Sequence, residues 1–289
     1  MSARRLALLA SAALAGAAVH AEPAAWRVES PSGGELWLLG SMHYLRADDY
    51  PLPPPIEALI DGADKIVMEL DLDDLDPVTQ QTALLGAAML PQGRLLEDVL
   101  GPEPHARAAE RAATFGIDLR LLERFEPWLV AIMLLDQGMV RHGYRAEHGL
   151  ERYLLRTAQR TGKEILGLES LESQLALFDT LPESQQRSLL EQTLDELEKP
   201  QAAIEELAEA WRSGELETLA AELEAQFVDF PGLYEALVTE RNASWVPELE
   251  RLLEEPDRHL VVVGALHLVG RGSVIELLET RGYAITRLP

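Results

Sequence analysis

The sequence contains no cysteine among its 289 residues. This absence excludes a disulfide framework, a thiol nucleophile, a lipid-modified N-terminal cysteine and any metal site with thiolate ligands. A metal site in this chain must therefore use histidine and carboxylate side chains. The chain also lacks a Walker-type or G-x-G-x-x-G phosphate loop, a G-x-S-x-G elbow and an H-E-x-x-H helix. These absences count against nucleotide-dependent and serine-hydrolase functions.

Basic residues are scarce compared with acidic ones. The chain has 25 lysines and arginines against 49 aspartates and glutamates, which gives a formal net charge of -24 at pH 7. Such a surface repels phosphates and anionic lipids, and the sequence shows no basic run that would bind either. We therefore expect no nucleic-acid partner, and the charge is typical of a soluble protein.

One long apolar run lies at the N-terminus. Arg4 and Arg5 precede the apolar segment Leu6 to Val19, which is followed by small residues. A run of this length with these flanks is typical of a secretory signal peptide and is too short to span a bilayer. We predict that residues 1–21 are removed and that the mature protein, residues 22–289, is periplasmic or secreted without a membrane anchor.

The remaining sequence has strand-like ends and a helical middle. Short apolar runs with strand character lie at Leu36 to Leu39, Ile66 to Met68, Leu260 to Val263 and Tyr283 to Leu288. Between about residues 75 and 255, apolar residues recur at helical spacing, and one strand-like run interrupts them at 165–168. With 47% hydrophobic residues, the chain forms one large domain or a core with an inserted subdomain. We expect an α+β fold in which strands from both ends form a mixed sheet surrounded by helices.

Two of the strand-like runs end in the same short pattern, G-x-x-H. Gly40-Ser41-Met42-His43 follows the first run, and Gly264-Ala265-Leu266-His267 follows a later one. We expect each glycine to let the backbone turn sharply, and each histidine to project over the carboxyl end of its strand, where open α/β sheets place their sites. A single G-x-x-H is more typical of a structural histidine, but its repetition after two apolar strands favours a shared site.

Two further strand-like runs end in a carboxylate, Glu69 and Glu169. Each glutamate considered alone is more typical of a solvated loop residue or of a charge at a helix N-terminus than of a site residue. Two imidazoles with a carboxylate and an open position suit zinc, manganese, iron or cobalt, which lower the pKa of bound water to about 7, and a second glutamate then accepts the proton. The other histidines of the mature chain show no partner pattern: His105, His142, His148 and His259.

Three polar residues outside the strands are further candidates. Arg241 lies on the otherwise apolar face of a predicted helix that begins near Pro231, so it forms either a structural ion pair or a positive group for a substrate carbonyl oxygen. Asn242 offers a similar donor in another direction. Glu147, in a polar turn bounded by glycines, is either a site residue or the N-terminal charge of the next helix.

Together these segments resemble the TraB/GumN family. The resemblance rests on Leu38 to His43, Val67 to Glu69, Arg145 to Gly149, Leu168-Glu169, Glu240 to Asn242 and Val263 to Gly270, in this order from about Trp37 to the C-terminus. It implies a single domain across residues 22–289 with a split sheet surrounded by helices. It also implies a metal and catalytic set of His43, His267 and Glu69, in a cleft lined by Glu169, Arg241, Asn242 and Glu147.

The family in turn resembles the Tiki metalloproteases, whose paired G-x-x-H motifs and glutamate support manganese- or cobalt-dependent peptide cleavage. We therefore predict a metal-dependent hydrolase with a peptide or protein substrate and a divalent ion (Mn, Co, Zn or Fe) as cofactor. In this prediction the catalytic residues are Glu69, Glu169, Arg241 and Asn242. The alternative is a non-catalytic periplasmic protein that sequesters a peptide, a metal or haem. A third interpretation makes the acidic helices an interaction surface and the histidines strand-end packing.

Overall fold

A mixed six-stranded sheet organises the computed structural model, which describes residues 23–74, 76–198 and 201–289. The predicted signal peptide lies outside the described residues. The strands are β1 (Ala25–Glu29), β2 (Glu35–Ser41), β3 (Lys65–Leu70), β4 (Glu164–Glu169), β5 (His259–Gly264) and β6 (Ala284–Arg287). Their order across the sheet is β4-β3-β5-β2-β1-β6. The predicted α+β fold, with strands from both ends of the chain, is confirmed.

The four strands β4, β3, β5 and β2 run parallel, whereas β1 pairs antiparallel with both β2 and β6. Strand β5, from the C-terminal part of the chain, lies between β2 and β3, so the sheet is split in the sense that the resemblance implied. All six residues of β5 are buried, as expected for a parallel strand covered on both faces. Because these four strands are parallel, their carboxyl ends meet at one edge of the sheet.

Helices cover the sheet and form most of the chain between β3 and β5. Their bounds are α1 (Pro54–Gly62), α2 (Pro77–Ala87), α3 (Leu96–Leu100), α4 (Pro102–Thr114), α5 (Pro127–Arg141), α6 (Leu150–Thr161), α7 (Leu171–Asp179), α8 (Glu183–Leu197), α9 (Gln201–Ser213), α10 (Leu216–Phe227), α11 (Pro231–Tyr234), α12 (Glu240–Leu252) and α13 (Val274–Thr280). The predicted helical middle with one inserted strand is therefore confirmed, that strand being β4. Within the described ranges, none of the helices has the length and hydropathy needed to cross a bilayer.

Strand β1 was not predicted from the sequence. Its buried residues include Trp26 and Val28, but the partly exposed Arg27 and Glu29 alternate with them, so no continuous apolar run appears. The strand pairs along its full length with β2, and from Trp26 to Glu29 with β6. The strand is therefore held in the sheet by its pairing with neighbouring strands, which the sequence of this segment alone does not reveal.

Candidate metal centre

Both G-x-x-H segments leave the sheet at the same edge, because β2 and β5 are neighbouring parallel strands. Ser41 of β2 pairs with Gly264 of β5 in the register of this ladder. His43 follows β2 after one residue, and His267 ends a short 3-10 turn, Ala265–His267, that follows β5 directly. Glu69 arrives at this edge on β3, the other neighbour of β5.

The side chains of His43, Glu69 and His267 converge on the space over Gly264. A Cβ atom placed on Gly264 would lie 3.4 Å from His267 Cδ2, 3.5 Å from Glu69 Oε1 and 3.5 Å from His43 Nε2. The structure therefore brings together the two histidines and the glutamate that the sequence singled out. A side chain at position 264 would fill the space that these three groups share.

The expectation that the two motif glycines turn the backbone sharply is wrong. Gly264 has φ -48°, which any residue adopts, and Gly40 is not among the glycines with positive φ. Gly40 lies inside β2, where a Cβ atom would come within 3.0 Å of Ala265 and 3.2 Å of the Ala24 Cβ. Both glycines are thus required for space: Gly40 for close packing and Gly264 for the opening between the side chains.

A carboxylate on helix α6 orients the His43 ring. His43 Nδ1 lies 2.8 Å from Glu151 Oε1, which also accepts a hydrogen bond from the Ser41 hydroxyl. The His43 side chain is 58% exposed, whereas Glu151 is 18% exposed. The Glu151 carboxylate raises the pKa of His43 to about 9, although partial desolvation of the ring opposes this shift. Because Nδ1 is engaged, Nε2 is the ring nitrogen that faces the space over Gly264.

His267 is buried and is oriented by an amide. Its Nδ1 lies 2.7 Å from Asn242 Oδ1, and the Asn242 amide nitrogen donates to the Gly272 carbonyl at 2.8 Å. Since the amide nitrogen is a donor, Oδ1 is the acceptor, and His267 carries its proton on Nδ1. Burial lowers the pKa of His267 to about 4, and Arg241 acts in the same direction. The ring is therefore neutral near pH 7, with a lone pair on Nε2.

Arg241 links the carboxylates of the cleft to His267. Its Nη2 donates to Glu69 Oε2 at 2.6 Å and to Glu169 Oε1 at 2.7 Å, and its Nη1 lies 3.1 Å from His267 Nε2. The Arg241 side chain is 11% exposed. Arg241 follows a π-helical turn, residues Glu235–Thr239, inserted between α11 and α12, a distortion that often occurs at functional sites. The buried arginine predicted from the helical spacing thus has two carboxylate partners.

The two glutamates at the strand ends, Glu69 and Glu169, differ in whether a carboxylate oxygen faces the open space. Burial tends to raise the pKa of Glu69, but His267, Arg241, His43 and the Gly264 N–H outweigh it and lower the pKa to about 2. Its Oε1 accepts from the Gly264 N–H at 2.8 Å and borders the open space. Glu169 Oε1, in contrast, accepts from Arg241 and from Trp245 Nε1 at 3.0 Å. Glu169 therefore positions Arg241.

The structure does not bring Glu147 to this cluster as an oriented side chain. Glu147 is exposed in a 3-10 turn, Ala146–His148, and only its carbonyl oxygen has a hydrogen bond, from Arg156. The carboxylate that contacts His43 is Glu151, one helical turn later, which the sequence reasoning missed. Glu151 lies in the first turn of α6, beyond the Gly149 that ends the polar turn.

The chemistry of the donor set suits a divalent ion. Two imidazoles and an ionised carboxylate border one open space, and the second nitrogen of each imidazole is fixed by a hydrogen bond, as is usual for metal-bound histidines. Two features compete with this function: Arg241 Nη1 occupies the lone pair of His267 Nε2, and the raised pKa of His43 keeps a proton on its Nε2 near pH 7. An ion bound by His267 through Nε2 must replace this contact.

A second group of possible metal ligands lies at the opposite edge of the sheet. It consists of Glu255, Asp257 and His259, and His259 is the first residue of β5, roughly 16 Å of strand from Gly264. Sequence reasoning missed this group, although a carboxylate stands two and four residues before the histidine. The Lys65 ammonium already lies 3.0 Å from Asp257 and 3.8 Å from Glu255. The Lys65 ammonium therefore already supplies a positive charge to these carboxylates.

Comparison with known proteins identifies the family. The model of the TraB/PrgY/gumN family matches residues 24–287, so the chain belongs to this family. YbaP of Escherichia coli (strain K12), an uncharacterized protein, is 28% identical over 249 residues, which cover 86% of this chain and 89% of YbaP. The resemblance inferred from the motifs is confirmed.

Two more distant relatives carry a functional name. Metalloprotease TIKI1 of Danio rerio is 24% identical over 304 residues, and Metalloprotease TIKI1 of Homo sapiens is 24% identical over 306 residues. Each alignment covers 88% of this chain but only 61% and 60% of the two relatives, respectively. No solved structure matches the chain significantly.

Proposed function

We propose that this chain is a metal-dependent hydrolase that cleaves peptide or protein substrates and that it acts outside the cytoplasm. The observation that carries the proposal is the convergence of His43 Nε2, Glu69 Oε1 and the His267 ring on the side-chain-free face of Gly264. The names of the TIKI1 relatives support peptide bonds as the substrate class. The segment predicted as a signal peptide supports export.

In this proposal His43, His267 and Glu69 hold the ion. A divalent ion bound there supplies the Lewis acidity that activates water and polarises a carbonyl group at neutral pH. Arg241 fixes Glu69 through Nη2 and offers Nη1 as the donor for a substrate carbonyl oxygen on which negative charge develops. The chain thus supplies the ligands and one cationic donor from rigid strand ends and one helix.

The remaining polar residues act through these groups. Asn242 and Glu151 fix the Nδ1 atoms of the two histidines, so each Nε2 is directed toward the site. Binding of an ion requires that His43 releases its Nε2 proton and that Arg241 leaves the Nε2 of His267. Glu169 binds the Arg241 guanidinium and holds it beside Glu69. We therefore assign Asn242 and Glu169, which the sequence predicted to be catalytic, a positioning role.

Metal content measured by elemental mass spectrometry tests the proposal. The full-length chain is expressed, the exported protein is purified under metal-replete conditions, and the wild type is compared with His43→Ala and His267→Ala. His142→Ala is the matched control, because His142 lies at the end of α5 and makes its hydrogen bonds through its backbone: its N–H donates to Gly138 and Met139, and its carbonyl accepts from Arg46. We expect a divalent ion in the wild type and the control and its loss in the two site variants. Peptide-library cleavage should follow the metal content, and cleavage that persists in both site variants would overturn the proposal.

One observation favours a second candidate function, a protein that binds a peptide or haem without turnover. Arg241 pairs with Glu69 and Glu169 and contacts the lone pair of His267, so these buried groups are satisfied without an ion. A haem-binding function predicts a visible absorption band on addition of haem that is lost in His43→Ala. The absence of bound metal in every preparation, even after ions are added, would favour this candidate.

A further inference from the structure

A groove beside the candidate metal centre is formed by α2, α5 and α7. Its volume is about 390 Å³, which lies in the range of small-molecule and side-chain pockets. The rings of Trp128 and Phe178 stack in its wall, with centroids 5.5 Å apart and planes at 21°. Aliphatic side chains such as Leu175 complete the apolar lining.

Two contacts show that the groove lies next to the metal centre. Gln174, which lines the groove, places its amide nitrogen 3.5 Å from Glu69 Oε2. On the other side, Ile132 lines the groove one helical turn before Asp136, and the Tyr44 hydroxyl donates to Asp136 at 3.3 Å. Tyr44 is the neighbour of His43. The groove therefore lies beside both a candidate ligand from β2 and one from β3.

The chemistry of the groove differs from that of the remaining surface. The chain carries a net charge of -24, yet no charged side chain among the described residues lines this groove. Its polar residues are three glutamines, Gln80, Gln81 and Gln174, whose amides both donate and accept hydrogen bonds. Neutral amides beside an apolar wall suit a peptide backbone that carries an apolar side chain, whereas a charged side chain would be desolvated there without a partner.

We propose that this groove binds a large apolar side chain of a peptide substrate next to the scissile bond and thereby determines specificity. The inference rests on the proposed peptidase function for its biological meaning, but binding in the groove is measurable without turnover. The glutamine amides bind the backbone on either side of that residue. The expected substrate is thus an extended peptide segment with one large aliphatic or aromatic residue.

The experiment measures binding and cleavage separately. Three capped peptides, acetyl-Gly-Ser-Xaa-Ser-Gly-amide with Leu, Ser or Glu as Xaa, are titrated by ligand-observed NMR into the purified protein in EDTA, which prevents turnover. The variants are Gln81→Lys, which places a cation at the exposed rim, and Gln92→Lys, a control with the same charge change in a turn outside the groove. We expect the wild type and Gln92→Lys to bind the Leu peptide at least about tenfold more tightly than the Ser peptide.

Gln81→Lys should tighten binding of the Glu peptide about threefold and weaken the preference for Leu, because the new ammonium pairs with the carboxylate. Equal affinity for the Leu and Ser peptides, or the same shift in Gln92→Lys, would overturn the groove proposal. Cleavage of a peptide library with added Mn²⁺ tests the proposed function independently. Selective binding without cleavage would support the groove proposal and contradict the peptidase function. Cleavage without a preference for apolar residues would support the peptidase function and contradict the groove proposal.

Discussion

The two G-x-x-H segments have the same sequence pattern but hold histidines of different character. His43 is largely exposed, and a carboxylate, Glu151, fixes its Nδ1. His267 is 8% exposed, an amide of Asn242 fixes its Nδ1, and Arg241 contacts its Nε2. The pKa of the first is raised to about 9 and that of the second is lowered to about 4.

The partner of Nδ1 and the depth of burial, not the motif, account for this difference. A carboxylate beside an imidazole favours the protonated ring, whereas a neutral amide and a guanidinium in a buried position favour the neutral ring. His267 is thus preorganised as a neutral ligand, and His43 is held as an accessible one. The comparison also extends to the two glycines, since Gly264 keeps the site open and Gly40 packs against Ala265.

The largest expected effect is on metal binding in Gly264→Ala. The new Cβ would occupy the space 3.4–3.5 Å from all three candidate ligands, so we expect a loss of divalent-ion affinity of more than about 100-fold. These distances are ordinary van der Waals contacts and φ is -48°, so the free energy of unfolding should change by less than about 1 kcal/mol. Isothermal titration with Mn²⁺ and Co²⁺, together with urea denaturation, measures both effects. Unchanged ion affinity would show that the ion does not bind over Gly264.

Arg241→Met should produce the largest loss of stability. It leaves the carboxylates of Glu69 and Glu169, which are 13% and 8% exposed, without their cation. Removing one partner of such a buried network costs about 3–5 kcal/mol. The free energy of unfolding from urea denaturation at pH 7 measures this loss.

Arg251→Met is the matched control for this variant. Arg251 also has two carboxylate partners, Glu248 and Glu255, but its side chain is 53% exposed. Solvent screening makes such ion pairs weak, so little or no change in stability is expected. Equal losses in the two variants would contradict the assignment of Arg241 to a buried network that supports the second motif.

Much of the candidate site could be predicted because it lies at strand ends. Apolar runs located β2, β3, β4 and β5, and parallel pairing then gathers whatever follows them at one edge. Glu69, Glu169 and both histidines were found in this way. Arg241 was found because a single charged residue interrupted an apolar helical face. Periodicity thus predicts which residues point inward, and topology explains why they meet.

The residue that fixes His43 could not be predicted by the same reasoning, whereas Asn242, which fixes His267, was among the predicted site residues. Glu151 lies on α6, more than 100 positions after His43, and no periodic pattern connects a helix residue to a particular strand end. Glu147 was predicted to line the cleft because the family resemblance implied it, but it lies exposed in the 3-10 turn that precedes α6. Whether Glu147 or Glu151 reaches the His43 ring depends on how α6 packs against β3 and β4.

Glu151→Gln sharpens the comparison by giving His43 the kind of neutral partner that His267 has. The glutamine still accepts the hydrogen bond from Nδ1 but without a negative charge, and loss of such an outer carboxylate typically weakens metal affinity about 10–100-fold. Competition titration against a chelator measures the affinity, and Glu147→Gln, an exposed glutamate in the preceding turn, is the control. A similar decrease in both variants would indicate a general effect of surface charge and not an effect on the ring.

The smallest expected effect is the loss of stability in Gly40→Ala, which tests the other glycine. The added methyl group would come within 3.0 Å of Ala265 and 3.2 Å of Ala24, closer than ordinary packing, so the neighbours must move by a few tenths of an ångström. Overpacking of this kind costs about 1–3 kcal/mol, and the reduced freedom of the unfolded chain offsets about 0.4–1 kcal/mol of it. We expect a net loss of about 1 kcal/mol in urea denaturation with unchanged ion affinity, the opposite of Gly264→Ala. If Gly40→Ala instead abolished ion binding at full stability, the two glycines would have equivalent functions, and the division between a packing glycine and a site glycine would be wrong.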